Sequence, residues 1–315
     1  MTTRIATAAQ DSLIQYYLQQ NQSAMNNLNA EISTGLTAQT YSQIAPQASQ
    51  LIDFRAQTSQ QQGYVNTINT LSTRLSTMSL ALQQIQSSVQ SFNSNLANEA
   101  YNNTQPDIQT QAQLLLQQVA GLLNTEDGTS YVFGGTDTNT PPVDLSGLPT
   151  GAAATLTTPV NGTPADGGYY AGGAQLAPVK IDNQLSVNYG ITANDASTFE
   201  PIMRVLNFLV QNAPFSSTSP VDQADITQAS QMLDSALQSL TNMEGQLGLQ
   251  QSELNSELTL HQQALSLAQN GVSNILAVNQ ATAITQLQTL ETQMQASYSA
   301  TSGIQKLSLV SYLSG

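Results

Sequence analysis

The chain has 315 residues, with six Lys plus Arg against twenty Asp plus Glu and a net charge of -14, so neither a phosphate backbone nor an anionic membrane surface is a natural partner. Charged residues make up only 8% of it, and there is no Cys and no Trp, which excludes disulfides, thiolate metal sites and cysteine nucleophiles together. Gln, Asn, Ser and Thr supply the polarity, and a surface of low charge density sets little long-range repulsion between copies. The first twenty residues hold no apolar run of signal-peptide length, and no uncharged apolar stretch reaches the length of a membrane span. The expectation is therefore no cleaved secretory signal and no transmembrane helix.

In chain order, the first element is an N-terminal helix with Ile14, Leu18, Met25, Leu28 and Ile32 at helical spacing, running up to "ISTGL", where Gly35 is a natural helix stop. The next is the clearest signal in the chain. No Gly or Pro interrupts Tyr64 to Tyr101, and Ile68, Leu71, Leu75, Met78, Leu82, Ile85, Val89, Phe92 and Leu96 alternate by three and four. That is the seam of a long helix packed along its length, spanning about 40 Å. After "NNTQPD", with Pro106 and Asp107 suited to a helix start, Ile108, Ala112, Leu115, Val119 and Leu122 mark a shorter helix.

The middle differs in kind. Ten of the nineteen Gly lie between Gly134 and Gly190, and nine of the eleven Pro between Pro141 and Pro220, a density that favours turns and short strands over long helices. Within it, Val179 and Ile181, then Leu185, Val187 and Tyr189, alternate around Asp182-Asn183 as a hairpin. "TFEPIMRVLNFLVQNA" reads as one helix with Pro201 near its start.

"SPVDQADITQ" then opens another long helix, with Asp222 and Asp225 in its early turns and a seam of Ile226, Ala229, Leu233, Ala236, Leu240, Met243 and Leu247. The spacing predicts a slip near Gly245 and Gly248, a restart at Leu254 and Leu258, and passage through His261 to Leu265, Ala268, Val272 and Ile275. A last helix carries Ala283, Leu287, Leu290, Met294 and Ile304 towards "KLSLVSYL", which adds Leu307, Leu309, Val310 and Leu313. The fold class expected is mainly α, a long antiparallel helical rod made by the N- and C-terminal arms, with a small β-rich domain inserted in the middle.

Chemistry is hard to find in this pattern. His261 is the single histidine, and its seam position reads as structural; without a second His or any Cys, neither a zinc site nor a nucleophile-histidine pair has its parts. Glu126-Asp127 is more plausibly a solvated turn than an acid/base pair. "GGTDTNT", with Asp137 and Asn139, lacks the further acidic ligands of a calcium loop. No catalytic residue, cofactor or metal site is expected. The apolar terminal helices could cover each other only in part, so further copies of the chain are the economical source of cover. The assembly residues are then Ile14, Leu18, Met25, Leu28, Ile32, Leu287, Leu290, Met294, Ile304, Leu307, Leu309, Val310 and Leu313, and head-to-tail contacts of this kind build rings or open helices.

Four segments in order, "NLNAEISTGLTAQ", "DGTSYVFGGTDTNTPPV", "IDNQLSVNYGITANDASTFEPIMRVLNFL" and "AITQLQTLETQMQASYSATSGIQKLSLVSYL", together resemble the flagellin superfamily and, within it, the hook-filament junction branch of hook-associated proteins. One departure is "YSQIAPQAS" at Tyr41 to Ser49, where the family commonly has an Asp-Asp-Pro-like segment. The resemblance implies a structural role with an inner assembly domain at 1–45 and 276–315, a helical rod at 46–134 and 218–275, and an outward insert at 135–217. It implies partners of four kinds: further copies in a ring-like layer, flagellin, another hook-associated protein on the hook side, and an export chaperone on the C-terminal helix. Export would use the flagellar secretion channel. A short flagellin is the alternative within the superfamily; outside it stand a surface-glycan module resting on Tyr169 and Tyr170, and an enzyme resting on Glu126 and Asp127.

Overall fold

A helix built from uncharged polar residues must solvate its surface without ion pairs, and the long arms do so with hydroxyls that fold back onto their own backbone. Along one stretch, Thr70, Thr73, Ser76 and Thr77 each donate to the carbonyl four residues earlier. The structure, a computed structural model, describes residues 2–102, 108–128, 130–157, 160, 168–216 and 218–313, with side-chain surroundings described over 12–97 and, within those ranges, 108–303. Its main elements are α1 (Thr2–Thr34), α2 (Ala48–Asn102), α3 (Ile108–Leu123), β1 (Pro178–Lys180), β2 (Ser186–Asn188), α4 (Phe199–Asn212), α5 (Pro220–Leu276) and α6 (Gln280–Leu313). The expected start of α3 at Pro106 and Asp107 lies outside the described residues. Two compact units result, one of residues up to Gln60 and from Ala264 on, the other Gln61–Gln263.

In the Gln61–Gln263 unit, α2 and α5 run antiparallel. Gln61 meets His261, Gln86 meets Thr241 and Asn93 meets Asp234, so partner numbers fall as α2 advances. Between them lie the α2 seam and Ile226, Ala229, Leu233, Ala236, Leu240, Met243 and Leu247 of α5, all buried. α5 is one unbroken helix of 57 residues, so the slip expected near Gly245 and Gly248 is absent. Gln250 and Gln251, both half-buried, occupy the seam between Leu247 and Leu254. Gln250 is recruited by the insert, its Oε1 accepting the Gly190 N–H at 2.9 Å.

Among its described residues the insert carries one antiparallel hairpin with Val179 opposite Val187, and two short 3-10 helices, Leu145–Gly147 and Gly151–Ala153, lie among loops and turns before α4. These loops are held by side chains that reach their backbone. Asn124 both donates to and accepts from Val143 at 2.8 Å, Asn207 donates to Pro149 O and Asn212 to Ala154 O, and Gly151 N donates to Gln211. Glycine allows two loops to touch: Gly173 N donates to Gly134 O at 2.9 Å, and Gly135, at φ +63°, would place a Cβ 2.3 Å from Gly173 O. α4 packs on α3, and one apolar cluster runs from the α2 and α5 seam through Phe133, Tyr169, Ile181 and Phe199.

In the other unit α1 packs along α6. α1 ends where Gly35 turns to φ +71° with its N–H on Glu31 O, the left-handed cap that glycine adopts without strain. Thr37 N then donates to Leu276 O at 2.8 Å and Val278 N to Gly35 O at 3.0 Å, so the α1 to α2 connection is stitched to the α5 to α6 connection. Ala38, Ile44, Leu51 and Leu276 form a small apolar cluster there. The divergent "YSQIAPQ" is a 3-10 helix (Tyr41–Gln47) capped by Thr40 and Gln43, and Arg55 donates to Tyr41 Oη while lying 5.9 Å from its ring centroid.

Candidate assembly surfaces

Half-covered apolar residues on α1 and α6 are the first candidate. Ile14, Leu18, Met25, Leu28 and Ile32 on α1, and Leu287 and Leu290 on α6, are half-buried, while Met294 is buried. α6 continues through Leu313, but the side chains of Ile304, Leu307, Leu309, Val310 and Leu313 lie outside those described. Beside the α1 stripe stands a set that the spacing argument passed over. Leu13, Tyr16 and Tyr17 are 57%, 58% and 56% exposed, share one face of the helix at positions i, i+3 and i+4, and the two tyrosines stack edge to face at 5.8 Å. Ile284 and Tyr298 extend the exposed apolar area on α6. The signal for Leu13, Tyr16 and Tyr17 was present in the sequence, as a second stripe one residue out of phase with the first.

The predicted core of the other unit is closed. Ile68, Leu71, Leu75, Met78, Leu82, Ile85, Val89, Phe92 and Leu96 are all buried, none more than 6% exposed. Polar locks sit within this seam: Asn93 donates to Asp234 at 2.7 Å and accepts from Ser230 at 2.8 Å. His261 is also buried; its Nδ1 donates to Gln61 Oε1 at 2.6 Å, its ring packs on Tyr64, and Nε2 lies 4.0 Å from Glu257. Farther along α5, burial pushes the carboxyl of Glu244 above its ordinary pKa.

The residues that suggested chemistry have structural partners. Asp127 pairs with Arg74 at 3.2 Å, and the same guanidinium donates to Tyr131 O, so this carboxylate fixes a loop. Tyr169 is fully buried and donates to Ala193 O at 2.6 Å, while Tyr170 donates to Gly173 O at 2.8 Å. Neither hydroxyl is free for a sugar. Burial raises the Tyr169 pKa well above the usual phenol value, with Glu200 adding to it, and burial together with Asp137 takes Tyr170 to about 12. Among the described residues no group of three His, Asp or Glu could hold a metal, and no described helix is long and apolar enough to cross a membrane.

The comparisons bear on the long helices. Residues 230–313, most of α5 and all of α6, match the family model of the bacterial flagellin C-terminal helical region. A structure from Vibrio parahaemolyticus assigned as a flagellar hook-associated protein aligns with a TM-score of 0.59 at 14% identity, over 75% of this chain and 100% of that one. The chain has a flagellin-like fold. Bacillus cereus FlgL aligns likewise, with a TM-score of 0.52 at 16% identity over 71% of this chain and 99% of that one. No curated protein matches the sequence. The resemblance to flagellin is thus borne out over most of α5 and α6 by the family model, and the solved structures share the wider fold. The matched region contains the buried α5 seam from Leu233 on and the half-covered face of α6.

Proposed function

We propose that this chain is a structural subunit of the bacterial flagellum, outside the cell, that forms a ring-like layer at the junction between hook and filament. The observation that carries the reading is the α1 and α6 pair, in which Leu13, Tyr16, Tyr17, Ile284 and Tyr298 stay exposed and the inner stripe is only half covered. Further copies supply the missing cover. Support for the flagellum comes from the flagellin C-terminal match over 230–313 and from the fold shared with the Vibrio hook-associated protein. In this reading 1–45 and 276–315 are the inner assembly domain, 46–134 and 218–275 the rod, and 135–217 the outward insert. Flagellin sits on one side of the layer and another hook-associated protein on the other, and a chaperone holds the C-terminal helix, including Leu309 and Leu313, until the chain leaves through the flagellar channel.

Deleting the gene and imaging the cells tests this. Intact hooks without filaments are expected; normal filaments on normal hooks would overturn the proposal. A filament subunit is the second reading, favoured by a matched family model that is named for flagellin itself. Copy number separates the two, since a junction layer holds a small fixed number of chains per flagellum and a filament holds thousands.

A further inference from the structure

Charge is unevenly placed on the Gln61–Gln263 unit. Between Arg74 and Glu99 the sequence of α2 carries no charged residue, and α3 carries none over its length. α5, in contrast, carries Asp222, Asp225, Asp234, Glu244, Glu253 and Glu257 and neither Lys nor Arg. The uncharged stretches of α2 and α3 lie side by side and leave an open groove of about 430 Å³ between them. Phe92 and Leu115 form its apolar floor, Leu114 stands beside them 62% exposed, and Ser87, Ser91 and Asn95 line its rim.

α5 presents an exposed apolar pair. Leu249 and Leu260 are 73% and 57% exposed, and eleven residues at 3.6 per turn bring the second to within about 20° of the first. They form one ridge, with the exposed carboxylate of Glu253 a turn beyond Leu249. In a chain of net charge -14, the faces that two copies bring together cannot both be acidic, because juxtaposed like charges suppress association. Two α5 ridges would set Glu253 against Glu253. The α2 and α3 groove holds no carboxylate, offers apolar floor to the leucines, and presents hydroxyl and amide donors to the glutamate.

We propose that the groove between α2 and α3 of one copy seats the Leu249 and Leu260 ridge of a second copy. Such a contact is heterologous, so every copy in the row still offers one groove and one ridge, and a ring or helical layer can grow. The inference rests on the self-assembly reading above and names the surfaces that meet.

The absence of native Cys makes the test direct. Two full-length variants, Ser91→Cys at the groove rim and Ser256→Cys on the ridge between the leucines, are tagged differently and produced together in the source cells, and isolated flagella are mildly oxidised. A mixed Ser91→Cys with Ser256→Cys disulfide dimer is expected, with neither chain linking to itself. Replacing the second variant by Gln231→Cys, exposed on α5 and about 37 Å away along the helix, removes the mixed product. Self-linked Ser91→Cys dimers would overturn the inference by pairing groove with groove. Both chains present in the flagella without any disulfide would overturn it while leaving the assembly reading intact, and neither chain in the flagella would remove both.

Discussion

Two regions of this molecule use the same three-four spacing and reach different degrees of closure. From Ile68 to Leu96 the α2 seam is buried at every position, because α5, α3 and the insert cluster surround it. On the terminal helices the stripe from Ile14 to Ile32 is only half-buried, and Leu13, Tyr16 and Tyr17 beside it are more than half exposed. Full burial of a leucine-sized side chain contributes about 1.5–3 kcal/mol, so a half-covered stripe retains much of that driving force for a later contact. Spacing specifies that a helix has an apolar face; the number of neighbours decides whether that face is core or interface.

The strongest way to break this comparison is Leu82→Ala in the closed seam, where the side chain is fully buried. The monomer should lose about 2–5 kcal/mol, the range of leucine-to-alanine changes in packed cores, read by denaturant unfolding followed through helicity. A loss under about 1 kcal/mol would show that α2 does not depend on its closure. Asn124→Ala is expected to do less. It removes both hydrogen bonds to Val143, whose side chain is buried, and leaving that backbone pair unsatisfied costs about 1–3 kcal/mol; an unchanged unfolding midpoint would mean that the insert loops are held some other way.

The smallest effect on the monomer belongs to the open face, and it sharpens the contrast most. With Leu13→Ser and Tyr17→Ser together, monomer stability should move by less than about 0.5 kcal/mol, as for exposed positions generally. Assembly should nevertheless fail, read as the absence of the chain from isolated flagella despite normal levels in the cell. Normal incorporation would place the assembly contacts elsewhere than on α1.

The helical arms were legible because their evidence is local: Ile68 to Leu96 repeats a period that only a helix can turn to one side. The hairpin was legible for the same reason, its alternation at Val179 and Val187 being set by a period of two. Gln250 was not, since a glutamine in an apolar seam looks like a fault until the Gly190 N–H arrives from a loop sixty residues away. Nor was Asp127, whose partner Arg74 lies 53 residues earlier. The turn-like "NTEDGTS" gives no hint of a guanidinium that reaches it from the middle of a helix.

By itself the sequence determined the helical arms, the Gly- and Pro-rich break between them, the acidic yet sparsely charged surface, and the lack of parts for thiol or zinc chemistry. Each follows from composition or from a short-range period. Only the tertiary structure decided that the α2 seam is closed, that Leu13, Tyr16 and Tyr17 remain open, that the glycine pairs at 134–135 and 172–173 face each other, and that the uncharged halves of α2 and α3 form one groove. Those outcomes depend on which elements meet, and a helix carries the same apolar stripe in its sequence whether one neighbour covers it or three.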